Sequence, residues 1–368
     1  MVMTYQKIIH VVGARPNFMK VAPVVSALRK HYRIKQVLVH TGQHYDINMS
    51  DIFFQQLGIP APDINLDVGS GSHAVQTAQI MMRMETVLLG QKPDLVLVYG
   101  DINSTVAAAL VCAKLLIPIG HVEAGLRSFD RTMPEEINRL LTDQMANLLF
   151  TPSVDGDENL LREGIARQKV HFVGNVMIDT LMRLLPQAKS RWPDLRTALD
   201  IEEGHYALIT LHRPSNVDDP IMLSKIIRAL EELSEKIKII FPVHPRTRAR
   251  MVEAGGAIQR NSRIQWIDPL GYLDFLCLQQ HAKVVITDSG GMQEETTFLG
   301  VPCLTVRKNT ERPVTVAIGT NTLVGQDMSR LKSEMESILS GHAKKGDIPP
   351  LWDGRASNRI SEIIAACK

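Results

Sequence analysis

A chain of 368 residues is longer than one hydrophobic core usually organises, so the length predicts two domains. The formal net charge is +2 and the Lys and Arg residues are scattered, which argues against a nucleic-acid surface. No stretch approaches the roughly 18 uncharged apolar residues of a membrane span, and the first apolar run is too short for a signal peptide. The four cysteines lack CxxC spacing. We therefore expect a cytoplasmic enzyme with reduced thiols.

Short β-rich runs alternate with longer helical patterns through the first half of the chain. The run KIIHVV (Lys7–Val12) predicts a buried parallel strand, and Phe18–Lys30 carries apolar residues at helical spacing. The series continues with KQVLVH, a helix near His73–Leu89, LVLVY, a helix from Ser104, PIGHV, a helix from Pro134, LLF and VHFVG. This order is typical of βα units with parallel strands.

The pattern loosens after Asn175, and a polar stretch follows from Leu185 to Gly204. A second series then contains YALITL, a helix after Asp219, IKIIFPV, RIQW, a helix from Gly271, KVVITD, a helix from Gly291 and VPCLTV. The sequence thus predicts an α/β fold of two Rossmann-like, doubly wound lobes facing a central cleft, where the strands' carboxyl ends bind ligands. The last amphipathic helix, in ASNRISEIIAACK, is free to pack on either lobe.

Three carboxylates fall at one edge of the first predicted sheet. Asp101 follows LVLVY, Glu123 follows PIGHV, and Glu135 opens a helix on which Arg139 lies one turn later. Taken singly, each has a simpler explanation: Asp101 as a helix cap, Glu123 as a strand-end carboxylate with a structural partner, and Glu135 as half of a surface ion pair. Because parallel strands end at the same edge, the three converge, which favours an acid/base site.

The turn after the first strand reads GARPNFMK and places Arg15 and Lys20 near the same edge. Two cations there suit a phosphate-bearing substrate, although a solvated helix face explains them equally. The turn is not GxGxxG, so a nicotinamide dehydrogenase is disfavoured.

In the second half, VVITDSGGMQEE takes a strand into a helix through Ser289, Gly290 and Gly291. Exposed amides and the helix dipole favour an anion such as a diphosphate, and a following glutamate suits ribose hydroxyls. A glycine-softened turn with an Asp or Ser cap explains the same residues more simply. His212 and His244 each follow a strand and lie near an arginine, which fits diphosphate contacts. A metal site from His44, His121 and Glu123 lacks a recognisable spacing, so none is expected.

The runs GARPNFMK, TGQHYD, GDINST, HVEAGLRS, PEEINR, TLHRPSN, VHPRT, DSGGMQEE and TERPVTVAIGTN resemble, in this order, the non-hydrolysing UDP-N-acetylglucosamine 2-epimerases. The resemblance implies two lobes of the glycosyltransferase B class. Because the pattern loosens after Asn175, we expect these lobes at residues 1–176 and 177–352, with a helix at about 353–368 packing back on the first. It implies a homodimer that interconverts UDP-GlcNAc and UDP-ManNAc without NAD or metal. In the family's route UDP leaves by elimination across C1–C2, and then re-adds while C2 is protonated from the opposite face.

By motif, the resemblance assigns catalytic roles to Asp101, Glu123, Glu135 and His212. It assigns substrate contacts to Arg15, Lys20, Gln43, Arg139, His244, Phe275, Ser289, Gly290, Gly291, Glu295 and Arg312. Three positions, Asn17, Ser215 and Val314, lack a carboxylate that many members carry. The sugar therefore stays open between UDP-GlcNAc and a related UDP-sugar, such as UDP-GalNAc or a diacetamido uronic acid derivative. The sequence is also compatible with a hydrolysing 2-epimerase, a retaining glycosyltransferase of the same architecture or a non-catalytic sugar-nucleotide sensor.

Overall fold

The computed structural model describes residues 5–31, 33–42, 58, 61–253 and 263–367. The chain divides into two compact units: unit 1 comprises Met1–Thr180 and Pro350–Lys368, and unit 2 comprises Leu181–Pro349. Each unit contains a parallel sheet flanked by helices, so the predicted α/β class with two parallel sheets is confirmed. In the described ranges no helix combines the length and apolar character needed to cross a membrane.

Unit 1 is built on a seven-stranded parallel sheet with the order β3-β2-β1-β4-β5-β6-β7. Its strands are β1 Lys7–Val12, β2 Lys35–His40, β3 Ile64–Asn65, β4 Leu95–Tyr99, β5 Ile119–Val122, β6 Leu148–Thr151 and β7 Val170–Phe172. The strands β4, β5 and β6 are buried along their whole length, because helices cover both faces of a parallel sheet. The strand order reverses between β1 and β4, which opens a crevice at their carboxyl ends.

The helices of unit 1 include a C-terminal segment that returns to it from the end of the chain. They are α1 Arg15–Leu28, α2 His73–Gln91, α3 Asn103–Lys114, α4 Pro134–Met145, α5 Val154–Arg162, α6 Val176–Lys189, which continues into unit 2, and α15 Ala356–Ala366. Helix α15 packs against α1. The buried Asp179 carboxylate accepts its first backbone amides, from Ala356 at 3.1 Å and Ser357 at 2.7 Å. This cap fixes the start of α15 on unit 1.

Unit 2 has a six-stranded parallel sheet with the order β10-β9-β8-β11-β12-β13. Its strands are β8 Tyr206–Thr210, β9 Lys238–Pro242, β10 Ile264–Ile267, β11 Val284–Thr287, β12 Cys303–Thr305 and β13 Asn321–Leu323. Its helices are α7 Trp192–Leu199, α8 Pro214–Val217, α9 Pro220–Ser234, α10 Pro245–Glu253, α11 Tyr272–His281, α12 Gly290–Leu299, α13 Pro313–Ala317 and α14 Met328–Leu339. The order reverses between β8 and β11, so the residues that follow these two strands lie side by side.

The elements differ from the sequence prediction mainly at their ends. Helix α1 begins at Arg15 rather than Phe18, because Pro16 fits the first turn, where its missing amide costs no hydrogen bond. Helix α7 lies within the stretch predicted as a polar connection. The edge strands β3 and β13 have only two and three residues, too few to show a periodic pattern.

Candidate active site

The first turn of unit 1 is fastened by Asn17, one of the three departures from the family pattern. Its side-chain oxygen accepts the amides of Gly13 and Ala14, both at 3.2 Å, and its amide donates to the Tyr99 carbonyl at 2.8 Å. A carboxylate at position 17 could not donate that last bond. The neutral residue is thus accounted for by the hydrogen bonds it makes with its own unit.

The second feature is a buried ion pair between Lys20 Nζ and Glu123 Oε2 that lies over Gly100. A Cβ at Gly100 would lie 2.7 Å from Lys20 Nζ and 3.1 Å from Glu123 Oε2, and the residue has a φ of +63°. Both constraints require glycine here. Glu123 itself has a φ of +74°, a conformation that costs a non-glycine residue about 1–3 kcal/mol and is concentrated at functional sites. The strain places its carboxylate beside Lys20.

Asp101 lies directly after Gly100 and is held by Arg139 of α4. The guanidinium donates to Asp101 Oδ2 through Nε at 3.0 Å and Nη2 at 2.6 Å. The Asp101 side chain remains 24% exposed, whereas Arg139 is buried. Asp101 is therefore oriented by a fixed cation while part of its carboxylate reaches solvent.

Helix α4 carries two adjacent glutamates with different surroundings. Glu135 is half-buried in its first turn. Glu136, which the sequence analysis did not single out, is buried and pairs with Arg139 at 2.7 Å. Its carboxylate also accepts the Ser128 amide and hydroxyl, both at 2.9 Å, and the Phe129 amide at 3.0 Å. Glu136 thus ties the loop after β5 to the helix that holds Asp101.

His121 of β5 belongs to a buried polar chain behind these residues. Its Nδ1 lies 2.6 Å from Asp143 Oδ1, and its Nε2 lies 2.8 Å from the Gly100 carbonyl. Arg127 pairs with Asp143 at 2.7 Å and with Glu163 at 2.7 Å. Burial opposes ionisation of Asp143, but His121 and Arg127 hold its pKa below the usual value. The chain supports the Gly100 turn from inside the sheet.

In unit 2 the reversal of strand order brings Asp288 against the segment after β8. Its carboxylate accepts the amides of His212, at 3.0 and 3.1 Å, and Arg213, at 2.9 Å, and the Asn216 side-chain amide at 3.1 Å. His212 Nδ1 lies 3.1 Å from Asp288 Oδ1. Burial would raise the pKa of Asp288, but these donors lower it below the usual value. In the sequence, Asp288 is distinguished only as the end of a strand and as a possible helix cap.

His244, at the end of β9, is the second predicted histidine of unit 2. Its ring centroid is 5.5 Å from that of His212. Its Nδ1 accepts the Arg246 amide at 3.2 Å. Arg246 also pairs with Asp218, which Arg250 meets at 3.2 Å. The structure therefore brings the two predicted histidines together, with an arginine beside them.

The turn into α12 is shaped by Arg312. A Cβ at Gly290 would lie 2.5 Å from Arg312 Nη1, whereas a Cβ at Gly291 would meet nothing within 4 Å. Arg312 pairs with Glu294 at 2.9 Å, and Ser289 occupies the N-cap position of α12 without a side-chain cap bond. Glycine at 290 is thus required by the guanidinium that packs on it, and glycine at 291 leaves open space at the helix start.

Glu295 and Phe275 occupy the neighbouring part of unit 2. Glu295 is buried and accepts the Tyr272 hydroxyl at 2.9 Å. Burial raises the pKa of Glu295 to about 7, and Glu294 adds to the rise. Phe275 lies in α11 and donates its amide to the Gly271 carbonyl at 3.0 Å.

The side chains of two predicted contact residues, Arg15 and Gln43, are not described by the structure. Gln43 lies outside the described residues, as does His44, and only the backbone of Arg15 is described. Among the described residues no three His, Cys, Asp or Glu side chains are grouped so that they could hold a metal ion.

Comparisons with known proteins give the family. A model of the UDP-N-acetylglucosamine 2-epimerase family matches residues 26–365. A relative from Methanococcus maripaludis, named a UDP-N-acetylglucosamine 2-epimerase homolog, is 49% identical and covers 97% of this chain and 99% of its own length. The chain belongs to the UDP-N-acetylglucosamine 2-epimerase family. It is an epimerase with two Rossmann-like units.

Two further comparisons bear on the substrate. The Methanocaldococcus jannaschii UDP-GlcNAc 2-epimerase, crystallised with UDP-GlcNAc and UDP, superposes with a TM-score of 0.89 at 43% identity, covering 97% of this chain and 99% of that one. A Pseudomonas aeruginosa UDP-2,3-diacetamido-2,3-dideoxy-D-glucuronate 2-epimerase is also 43% identical, covering 98% of this chain and 99% of its own length. These two enzymes, whose names give different sugars, are thus equally identical in sequence to this chain.

Proposed function

We propose that this epimerase interconverts UDP-GlcNAc and UDP-ManNAc without releasing the free sugar. The observation that carries the proposal is the pair of carboxylates at the carboxyl ends of β4 and β5, each held by its own cation. Asp101 is held by Arg139, and Glu123 by Lys20. Such pairs supply a proton acceptor and a proton donor in fixed positions, which inversion at one carbon requires.

The reaction follows from the chemistry at C2, whose proton has no adjacent carbonyl to acidify it. The C1–O bond first loosens, and its electron pair leaves with UDP while a base takes the C2 proton, giving a 2-acetamidoglucal. Protonation of C2 from the opposite face, with return of a UDP oxygen to C1, gives the epimer. Asp101 and Glu123 are the proposed proton-transfer groups, and Glu135 orients or relays. The substrate and the product have the same oxidation state, so the reaction needs no redox cofactor.

Unit 2 is proposed to bind the UDP half. Open space at Gly291, at the start of α12, gives a diphosphate access to helix amides, and Arg312 supplies a nearby cation. His212 and His244 are proposed to contact the phosphates, with Phe275 and Glu295 near the nucleoside. In unit 1, Arg15, Lys20, Gln43 and Arg139 are the proposed contacts to substrate.

The test is to incubate the purified protein with UDP-GlcNAc in deuterated water and to follow C2 by proton NMR and UDP by phosphorus NMR. The expected result is UDP-ManNAc carrying deuterium at C2, with little free UDP. Release of UDP together with free N-acetylmannosamine would instead identify a hydrolysing enzyme. Absence of exchange with UDP-GlcNAc and with related UDP-sugars would refute the proposal.

A second candidate substrate is a UDP-2,3-diacetamido uronic acid. It is favoured by the 43% identity to the Pseudomonas aeruginosa enzyme, which equals the identity to the Methanocaldococcus jannaschii enzyme. The two substrates differ at C3 and C6, whereas the C2 chemistry is the same. Comparing kcat/KM for the two UDP-sugars decides between them.

The proposed assembly is a cytoplasmic homodimer. Val75, Met82 and Leu89 lie seven residues apart on the outer face of α2, and each is more than half exposed. An apolar stripe of this kind needs a covering partner. The four cysteines are free thiols, as is usual in a reducing compartment. Light scattering should give the mass of two chains, and Met82→Glu should shift it toward one; a wild-type monomer would contradict the assembly.

A further inference from the structure

The deepest carboxylate of the unit 2 site is Asp288, which is fully buried at the end of β11. Three groups donate hydrogen bonds to it, two backbone amides and the Asn216 side chain, and Nδ1 of the His212 ring lies 3.1 Å from Oδ1. A carboxylate with this many donors has almost no freedom to turn. Asp288 is therefore a fixed anion rather than a mobile one.

The histidine that meets this anion has unequal ring nitrogens. Nδ1 lies 3.1 Å from Asp288 Oδ1, and an ionised carboxylate can only accept, so Nδ1 carries the hydrogen. Within the described part of the chain Nε2 of His212 makes no hydrogen bond, and the side chain is 37% exposed. Nδ1 is thus directed at Asp288, while the side chain as a whole keeps more than a third of its surface exposed.

Asp288 does more than a backbone cap requires. Asp179 in unit 1 is also buried and accepts two backbone amides, but no histidine of the described ranges bonds to it. Asp288 makes the same kind of cap and in addition faces an imidazole whose other nitrogen makes no hydrogen bond among the described residues. A tautomer with its lone pair on Nδ1 would point that lone pair at a carboxylate, which is repulsive.

We propose that Asp288 is a positioning residue of the reaction: it holds His212 with Nδ1–H on the carboxylate and presents Nε2 to the leaving diphosphate. This inference rests on the proposed function for the role of Nε2, and on the geometry of unit 2 for the tautomer. The proton that passes to a phosphate oxygen is carried on Nε2 of the doubly protonated ring, whose charge Asp288 stabilises, and the transfer leaves the neutral ring with its hydrogen on Nδ1. Return of UDP to C1 reverses the same transfer.

The kinetic test uses Asp288→Asn, in which the amide can donate to Nδ1 and so favour the opposite tautomer. We expect kcat to fall on the order of 10²- to 10⁴-fold, with KM within a few-fold, because the proposed UDP contacts stay in place. The double variant with His212→Asn should be no slower than His212→Asn alone, since both changes remove one function. Additive losses would overturn the positioning role.

The control is Asp179→Asn, which also replaces a buried carboxylate that accepts backbone amides. It should keep the wild-type kcat while losing a similar amount of thermal stability. If Asp179→Asn lowers kcat as much as Asp288→Asn does, the effect of Asp288 is structural and the inference is wrong.

A second measurement uses the wild-type protein, so it does not depend on whether an Asp288 variant folds or on whether the protein is active. Nitrogen NMR of the wild-type protein with labelled histidine reports the tautomer of each ring, and the His212 signals are those that His212→Asn removes. We expect Nδ1 to be protonated and Nε2 to be the nitrogen that responds to added UDP. A His212 ring protonated only on Nε2 would overturn the inference, whereas failure of every UDP-sugar to epimerise would refute the proposed function alone.

Discussion

Each unit contains a histidine whose Nδ1 faces a buried aspartate, yet the two pairs differ in what the other ring nitrogen meets. In unit 1, His121 has a side chain only 1% exposed, and its Nε2 lies against the Gly100 carbonyl. In unit 2, the His212 side chain is 37% exposed, and among the described residues its Nε2 makes no hydrogen bond. The same residue pair therefore fastens a turn in one unit and offers a reactive nitrogen in the other. The two pairs therefore differ in how far the histidine side chain is exposed, 1% for His121 and 37% for His212.

A similar difference separates the acidic residues. In unit 1, Asp101 pairs with Arg139 and Glu123 pairs with Lys20, and both carboxylates lie at strand ends. In unit 2, Glu294 and Glu311 lie among arginines and are fully buried, as a scaffold for Arg312. This contrast supports proton transfer in unit 1 and anion binding in unit 2.

The largest expected effect is on proton transfer. Asp101→Asn and Glu123→Gln should each lower deuterium exchange at C2 on the order of 10²- to 10⁴-fold, because each removes a proton-transfer group. UDP affinity, measured by calorimetry, should stay within a few-fold, because UDP is assigned to unit 2. Glu158→Gln, at an exposed surface pair with Arg162, is the matched control and should exchange normally. Normal exchange in either test variant would remove that residue from the mechanism.

Substitution of His121 should mainly lower the stability, whereas substitution of His212 should mainly lower kcat. His121→Asn leaves the buried Gly100 carbonyl without its partner, while Asp143 keeps Arg127 and the Gly125 amide, so it should cost about 2–3 kcal/mol in the free energy of unfolding. His212→Asn removes a partly exposed ring and should cost about 1 kcal/mol or less, while lowering kcat strongly. Urea unfolding together with turnover rates measures both. Equal losses of stability would remove the distinction drawn between the two pairs.

Glu295 should make the stability of unit 2 depend on pH. Its pKa is about 7 in the folded protein against an ordinary value of 4.5, so folding favours its protonated form. Stability from this group is complete below pH 4.5 and is lost as the pH rises through 7, on the order of 3 kcal/mol in all. Glu295→Gln should flatten the pH dependence of the thermal midpoint of unfolding between pH 4.5 and about 7. A variant that keeps the wild-type slope would contradict the assignment.

The smallest effect compares Gly290, at the start of α12, with Gly90, in α2 of unit 1. Gly290→Ala forces Arg312 aside and should weaken UDP binding roughly 10-fold, equivalent to about 1.4 kcal/mol. Gly90→Ala is the control: its added Cβ meets nothing within 4 Å in α2 of unit 1, so UDP binding should change little. Titration of UDP into both variants measures the difference. Equal weakening would mean that Arg312 has no part in binding UDP.

Much of this arrangement can be predicted because strand ends are visible in the sequence. Asp101, Glu123 and His212 each follow an apolar run, and parallel strands necessarily end at one edge. Asp288 also follows such a run, but its partner His212 lies 76 residues away, and no local pattern encodes that contact. The same limit applies to Glu136, whose task depends on a loop that folds back on its helix.

The central claim is that the C1–O bond breaks while UDP stays bound, and an isotope label tests it most directly. UDP-GlcNAc carrying ¹⁸O in the bridge between C1 and the β-phosphate is incubated with the protein and then recovered. The account predicts that the label spreads from the bridge into the other β-phosphate oxygens at a rate comparable to C2 exchange. An epimer formed with the label confined to the bridge would contradict it.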